Sequence, residues 1–162
     1  MPWRMASQGV LVPCAWFFVW AFPVNCQTVS LPYRPVTAEY SNYMDRIIFI
    51  AANPNQLHIF DPISNTDIPV NLPKPPLSLS ISLDGQHAAV GHDALISYVN
   101  LAGAYLEKIL PANMTVNSLV LGNGYVYILS YNGGTEWIQL STGSNGSSGV
   151  YNGTSGRLHP NS

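Results

Sequence analysis

Charge is what this sequence lacks most. Lys and Arg number 6 and Asp and Glu 8 among 162 residues, a charged share of 9%, against about a quarter in ordinary soluble domains. The formal net charge is −2 and no basic cluster exists, so there is no surface that could neutralise a phosphate backbone, and nucleic-acid binding is excluded. Cysteine is almost absent. Cys14 and Cys26 are the only two, and beyond Cys26 neither a thiol nucleophile, a thiolate metal site nor a disulfide can be built. No apolar run reaches the ~20 residues of a membrane-spanning helix. There is also no Gly-x-Ser-x-Gly, no phosphate-cradling glycine loop and no metal-ligand spacing. What is present is a 47% apolar complement, 13 Gly and 13 Pro, with polarity supplied by Asn, Ser and Thr. That describes a core-forming, turn-rich chain.

Met1 to Cys26 read as a secretory signal peptide. Arg4 is the only charge before Arg34, and Val10 to Phe22 form an uncharged apolar stretch, the length of a signal hydrophobic region. Pro23 ends it, and small residues precede a cut placed after Cys26. An uncleaved N-terminal anchor is the competing reading. Acylation of Cys26 is disfavoured by Asn25 and Pro23. Removal leaves 27–162 without cysteine, long enough for one small domain with a sizeable core. The expected address is secreted, or periplasmic and cell-envelope.

The mature chain repeats. One constant, gapless offset carries Asp45-Arg46 onto Asp84-Gly85 and that pair onto Asn123-Gly124, each read as a turn pair. Behind each comes an apolar run: Ile47 to Ala51, Gln86 to Val90, Tyr125 to Leu129. Polar loops follow, and then a second run ending in Asp61, Asn100 and Gln139. These runs are short, β-branched and aromatic, and bounded by Asn, Asp, Gly and Pro, which predicts strands. The first strand of each pair is apolar on both faces, so both faces should be covered. A strand before each turn (Leu79 to Leu83 is the clearest) and an outer strand after it (Asp67 to Leu72; Tyr105 to Leu110) make four strands per repeat. The expected fold is all-β: about three four-stranded antiparallel blades of a β-propeller. The blades span about 40–78, 79–117 and 118–150, after a linker at 27–39. In the third copy the outer strand is expected to dissolve in Ser144 to Gly149, being displaced to about Val150-Tyr151 or missing. The stretch 144–162 then reads as a Gly/Ser-rich segment and the start of a fourth repeat.

Leu83-Asp84-Gly85-Gln86-His87-Ala88-Ala89-Val90, followed by Ile96 to Gly103, resembles the YVTN-type, WD-repeat-like β-propeller repeat. Ile59-Phe60-Asp61-Pro62 and Ile138 to Gly143 are similar to its second half. The resemblance covers roughly Tyr40 to Gly143 and implies a fold rather than an activity. Propellers close with four to eight blades, so about three and a half repeats imply an incomplete propeller, a fragment of a longer one or a product cut short, whose open apolar blade faces would drive aggregation or self-association or call for the missing blades. A complete small open β-sheet protein ending in a flexible Gly/Ser tail is the competing reading.

Few side chains suggest chemistry. His87, His92 and Asp93 form the only cluster with a ligand-like look. However, His87 and His92 straddle a strand and its loop, and His87 shares a column with Ile48 and Val126, so packed histidines are expected and no metal site. His58 and His159 are read the same way. Asp45 and Asp84 recur where an Asp caps its own turn, and Glu39, Glu107 and Glu136 stand alone, so no paired carboxylates are expected. Asn113-Met114-Thr115, Asn145-Gly146-Ser147 and Asn152-Gly153-Thr154 fit the glycosylation pattern at a frequency chance explains. Tyr98, Trp137, Tyr125 and Tyr127 could line a carbohydrate- or quinone-binding face, but their columns read as core first. No catalytic residue and no cofactor emerge.

The expected function is a binding or scaffold module for a protein or glycan partner. It would present Asn53 to Gln56, His92 to Ala94 and Tyr131 to Gly134 on one rim. The alternatives are part of a quinoprotein-like dehydrogenase or lactonase-type propeller with its active site in other blades, and a structural adhesin or sensor spacer.

Overall fold

The computed structural model describes residues 30–129 and 134–150; the leader, His159 and the third sequon lie outside them. Among the described residues there are twelve strands and no helix, hence none long and apolar enough to cross a membrane. The strands are β1 Pro35–Ser41, β2 Arg46–Ala52, β3 Asn55–Asp61, β4 Thr66–Asn71, β5 Ser78–Ile81, β6 His87–Gly91, β7 Asp93–Asn100, β8 Tyr105–Thr115, β9 Ser118–Leu121, β10 Tyr125–Leu129, β11 Gly134–Gln139 and β12 Asn145–Val150. They form three four-stranded antiparallel meanders: β1-β2-β3-β4, β5-β6-β7-β8 and β9-β10-β11-β12. Of the three opening strands, β5 lies between β1 and β9 and touches both. β1 opens at Pro35, within the stretch that the repeat spacing leaves as a linker.

Covered strands do form where the sequence is apolar on both faces. Ile48 to Ala51 in β2 and Ala88 to Val90 in β6 are all buried. Alternation sorts them. Ile48, Ile50, Leu57 and Ile59 of the first sheet pack on Leu79, Ala88, Val90 and Val99 of the second. Ala89, Ile96 and Leu110 pack on Leu119, Leu121, Val126, Ile128 and Ile138 of the third. Each sheet thus has a forward face, toward the next sheet, and a backward face.

The two turn columns are built differently. Between the first two strands, Gly85 (φ 69°) and Gly124 (φ 79°) take the left-handed conformation in Asp84-Gly85 and Asn123-Gly124. A Cβ at Gly85 would also lie 2.6 Å from the Tyr43 Cβ of the neighbouring sheet. In the first sheet the turn falls earlier than the repeat predicts. Ser41 pairs with Arg46, so Arg46 is already strand and the left-handed residue is Asp45 (φ 54°). Between the last two strands, Asn65, Ala104 and Gly143 have φ of 55°, 53° and 72° and succeed one another at the repeat spacing. The polar residue entering each of these turns caps it. Asp61 accepts from the Ile63 and Ser64 amides at 2.8 and 3.2 Å, Asn100 from the Gly103 amide at 2.8 Å, and Gln139 from the Thr142 hydroxyl at 2.9 Å. That is why Asp, Asn and Gln are interchangeable in this column.

Two expectations about the third copy fail. The Gly/Ser stretch does not dissolve: Asn145–Val150 is the outer strand β12, with Ser147 opposite Glu136 and Gly146 opposite Trp137. An edge strand needs main-chain groups more than strand-forming side chains, and a Cβ at Gly146 would lie 2.6 Å from the Trp137 ring. The second failure is one of register. His87 pairs with Asn100 and Tyr125 with Gln139, so β10 sits one residue earlier than the gapless repeat places it. A one-residue shift inverts the faces. His87 therefore corresponds to Tyr125 on the forward face, while Val126 points backward.

Polar ties join adjacent sheets. The Glu39 carboxylate accepts from the Ile81 amide at 2.9 Å, and Ser80 Oγ from the Leu121 amide at 3.1 Å. Ser78 donates to the Val116 carbonyl at 2.7 Å. Glu136, buried at 3% exposure, reaches back from β11 to accept from the Asn113 side-chain amide at 2.8 Å.

Candidate functional site

A cleft of about 430 Å³ opens between the second and third sheets at the rim carrying the first turn column. Its second-sheet wall carries Ser82, Asp84, His87 and Tyr98, and its third-sheet wall the Gly122-Asn123-Gly124 turn and Leu140. The Asp84-Gly85 and Asn123-Gly124 turns, equivalent in consecutive repeats, thus become facing walls.

The turn fixes the polar groups. Asp84 accepts from the Ser82 hydroxyl at 2.5 Å and the Gln86 amide at 3.0 Å. The hydroxyl first, then the amide, hold its carboxyl below the ordinary range despite some desolvation. The same Ser82 oxygen accepts from the His87 amide at 3.0 Å. His87 then stacks on Tyr98, with centroids 5.0 Å apart and planes 9° from parallel. Its Nε2 lies 3.5 Å from the Glu107 carboxylate. Burial, followed by the Glu107 and Asp84 charges, pushes the Tyr98 hydroxyl upward, so it stays a neutral donor. Lys108 lies 5.6 Å from the Tyr98 ring centre and donates to the Leu140 carbonyl at 3.2 Å, bridging the two walls. The cleft therefore offers an ionised carboxylate, an imidazole, a phenol and main-chain turns beside apolar leucines. Among the described residues no group of three or more His, Cys, Asp or Glu side chains assembles into a metal site.

The other singled-out residues separate into distinct roles. His92 is no rim residue. It is fully buried, with Nδ1 3.1 Å from the Pro75 carbonyl and Nε2 2.9 Å from the Ser97 hydroxyl, and burial holds its pKa below the ordinary value. Asp93 beside it accepts from the Thr115 hydroxyl at 2.8 Å. The loop at Asn53-Pro54 is a short exposed turn, and 131–133 lie outside the described residues. His58 is buried and stacks on both Phe49 and Tyr33, with Nδ1 2.9 Å from Asp67. Asp45 is bonded by the Tyr40 hydroxyl. Glu39 and Glu136 tie sheets together, and Asn113 of the first sequon is held by Glu136. Tyr98 is half-buried, packing against the core between the second and third sheets while also lining the cleft. The other three aromatics do not share that core. Tyr125, Tyr127 and Trp137 cluster on the forward face of the third sheet, Tyr125 lying 5.8 Å from Trp137 and 6.2 Å from Tyr127. Tyr127 is 43% exposed. The cleft itself escaped sequence reasoning. Its traces were the facing Asp-Gly and Asn-Gly pairs and a polar His87 in an apolar column.

No protein-family model matches the sequence, and no curated protein matches it. Solved structures are similar in fold. Hydrazine synthase of Kuenenia stuttgartiensis superposes with a TM-score of 0.64 at 11% identity, over 79% of this chain and 40% of that one. The β-propeller domain of Swd1 from Myceliophteria thermophila gives 0.61 at 11%, over 70% and 38%. The WD40 repeats of RRP9 give 0.62 at 15%, over 77% and 40%. The three sheets are therefore WD-repeat-like β-propeller blades forming an incomplete propeller, and the chain spans about two fifths of the length of these structures.

Proposed function

We propose that the chain is an exported binding module, a propeller segment that recognises a protein or glycan partner, with the cleft between its second and third blades as the seat. The observation that carries this reading is the cleft's inventory: Asp84 and Asn123 are exposed at its mouth, over an aromatic and imidazole floor. Buried polar groups elsewhere, such as Glu136, Ser78 and Ser80, are committed to holding blades together. Leu83, 76% exposed at the same turn, adds an apolar contact of the kind a peptide partner buries. The enzymatic alternative draws only on an enzyme's name among the similar structures, and likeness of fold does not transfer an activity. Export is supported by the leader-like segment from Met1 to Cys26.

The test is capture of a partner from secreted or envelope material by the immobilised chain, repeated with Asp84→Lys and Asn123→Lys. Capture lost in both, and kept when exposed Ile63 on a remote turn is changed to Lys, supports the cleft. Capture indifferent to all three refutes it. N-terminal sequencing of the chain recovered outside the cell should begin near Gln27.

A further inference from the structure

The cleft exists because its seam lacks what closes the seam before it. In the first two sheets the opening turns are 42–45 and 83–86, closed by Ser41 paired with Arg46 and by the Ser82 amide on the His87 carbonyl. Ser41 and Ser82 are therefore equivalent, and so are Tyr43 and Asp84. Between the first and second sheets, Ser41 donates to the Gly85 carbonyl at 3.2 Å. There the Tyr43 Cβ sits so close that a Cβ at Gly85 would meet it at 2.6 Å. At the next seam both devices are gone. Asp84 turns the Ser82 hydroxyl back onto its own hairpin at 2.5 Å. The third turn is only 123–124, closed by the Gly122 amide on the Tyr125 carbonyl, and a Cβ at Gly124 would meet nothing within 4 Å. Asp84 thus occupies the position from which Tyr43 bears on the following turn, and it leaves room.

The room is rich in acceptors. Main-chain donors at its mouth are used inside the turns: the Gly85 amide on the Ser82 carbonyl, the Gln86 amide on Asp84, the His87 amide on the Ser82 hydroxyl and the Gly122 amide on Tyr125. The bonds from Ser82 and Gln86 both fall on Asp84 Oδ1, which leaves Oδ2 of an exposed, ionised carboxylate for a ligand. Asn123 faces it from the other wall. Around the cleft Asp84 and Glu107 are negative and Lys108 positive. Glu107 and Lys108 already stand 4.0 Å apart, so the carboxylate of Asp84 is the charge left over. Leu83, Leu121 and Leu140 line the same cleft and suit the methylene stem of a long cationic side chain. Lys108 itself shows that a cation is accepted on this seam, lying 5.6 Å from the Tyr98 ring centre and donating to the Leu140 carbonyl at 3.2 Å. A sugar would need an open aromatic face, whereas the Tyr98 ring is engaged by the stacked His87 and by Lys108.

Resting on the cleft as the seat of recognition, we propose that its occupant is a basic side chain of a peptide partner, with its stem on the leucines and its cation between Asp84 and Asn123. An arginine fork, with five donors in one plane, reaches acceptors on both walls at once.

The experiment is an NMR titration of the ¹⁵N-labelled full chain, following the amides of Asp84, Gly85, Asn123 and Gly124. The probes are acetyl-Leu-Arg-Leu-amide, the same peptide with neutral citrulline for arginine, and chitotriose. The arginine peptide should shift these amides saturably, and the citrulline peptide should bind about fivefold more weakly, the loss expected of one exposed ion pair. That difference should vanish in 1 M NaCl, where the screening length is about 3 Å. It should also vanish in Asp84→Asn, whose side-chain oxygen can still cap the turn. Equal binding of the arginine and citrulline peptides overturns the proposal, and so does a preference that survives 1 M NaCl; neither arm depends on a variant that has to fold. Chitotriose shifting the cleft amides while the arginine peptide does not overturns the basic side chain but leaves the cleft as the seat. No shift there from any probe overturns the proposal too, and the seat falls with it only where partner capture is also indifferent to Asp84→Lys and Asn123→Lys.

Discussion

Gly91, at the end of β6, offers the sharpest test of the packing between the second and third blades. A Cβ built there would lie 2.3 Å from Ser78 Oγ, 2.5 Å from Val116 Cγ1 and 2.7 Å from the Val116 carbonyl oxygen. Those atoms are not free to leave. Ser78 donates to that carbonyl at 2.7 Å, the Val116 amide donates to the His92 carbonyl at 3.0 Å, and the Leu77 amide to that of Gly91 at 2.8 Å. Overpacking of this kind costs about 2 kcal/mol, and loss of the buried Ser78 bond adds about 1 kcal/mol. Gly91→Ala should therefore destabilise by about 3 kcal/mol, a large part of a small domain's margin. Gly124→Ala is the control. Its Cβ meets nothing within 4 Å, but φ is +79°, so only backbone strain of about 1 kcal/mol is expected. Urea unfolding followed by circular dichroism separates the two, with thermal midpoints falling by about 4 °C per kcal/mol. If Gly91→Ala costs no more than Gly124→Ala, the close approach between the blades is not there and the interface has been misjudged.

Other outcomes follow from single sites. Asn100→Ala should destabilise by about 1 kcal/mol through loss of the Gly103 amide's acceptor, and Asn100→Asp should restore it; thermal melts decide. Ala104→Gly should stabilise by about 0.5–1 kcal/mol, since φ is 53° there and glycine takes that conformation without strain. Burial holds the pKa of His92 in the fold below the 6.5 of the free side chain. The unfolded chain thus takes up a proton first, and stability that is full above about pH 6.5 falls as pH drops below it. Melts of the wild type from about pH 7.5 to 5 should show that slope, and His92→Gln should flatten it. Asp84 is shifted the same way in sign but acts lower. Its contribution is present above a pH near 4 and is lost on further acidification, so the difference between Asp84→Asn and the wild type should narrow steadily as pH falls below about 4.

The repeat was legible because turns have strict chemistry: Asp84-Gly85 and Asn123-Gly124 mark hairpins, and Asp61, Asn100 and Gln139 cap the next turn. Double-sided burial of β2 and β6 was legible from runs such as Ile47 to Ala51. The misreadings have physical reasons. β12 lacks strand formers because an edge strand can be specified by its neighbour's main chain, here with Trp137 lying over Gly146. The face of β10 was inverted because gapless spacing cannot register a one-residue shift, and this moved Tyr125 and Tyr127 from presumed core to an open face. His92 looked like a rim residue because a polar loop can fold inward when carbonyls and hydroxyls await it. The cleft belongs to two blades at once, and no single repeat encodes it.

Each blade is coupled only to its neighbours, and this sets an order of opening. Among the described residues the middle sheet is gripped on both faces and the first and third on one face each by another sheet, so local opening of these three sheets should propagate inward. Amide hydrogens of Ala88, Ala89 and Val90 should exchange only through global unfolding. Those of β12 should exchange first and those of β10 next. Exchange rates along the chain would then map the hierarchy of its three described blades.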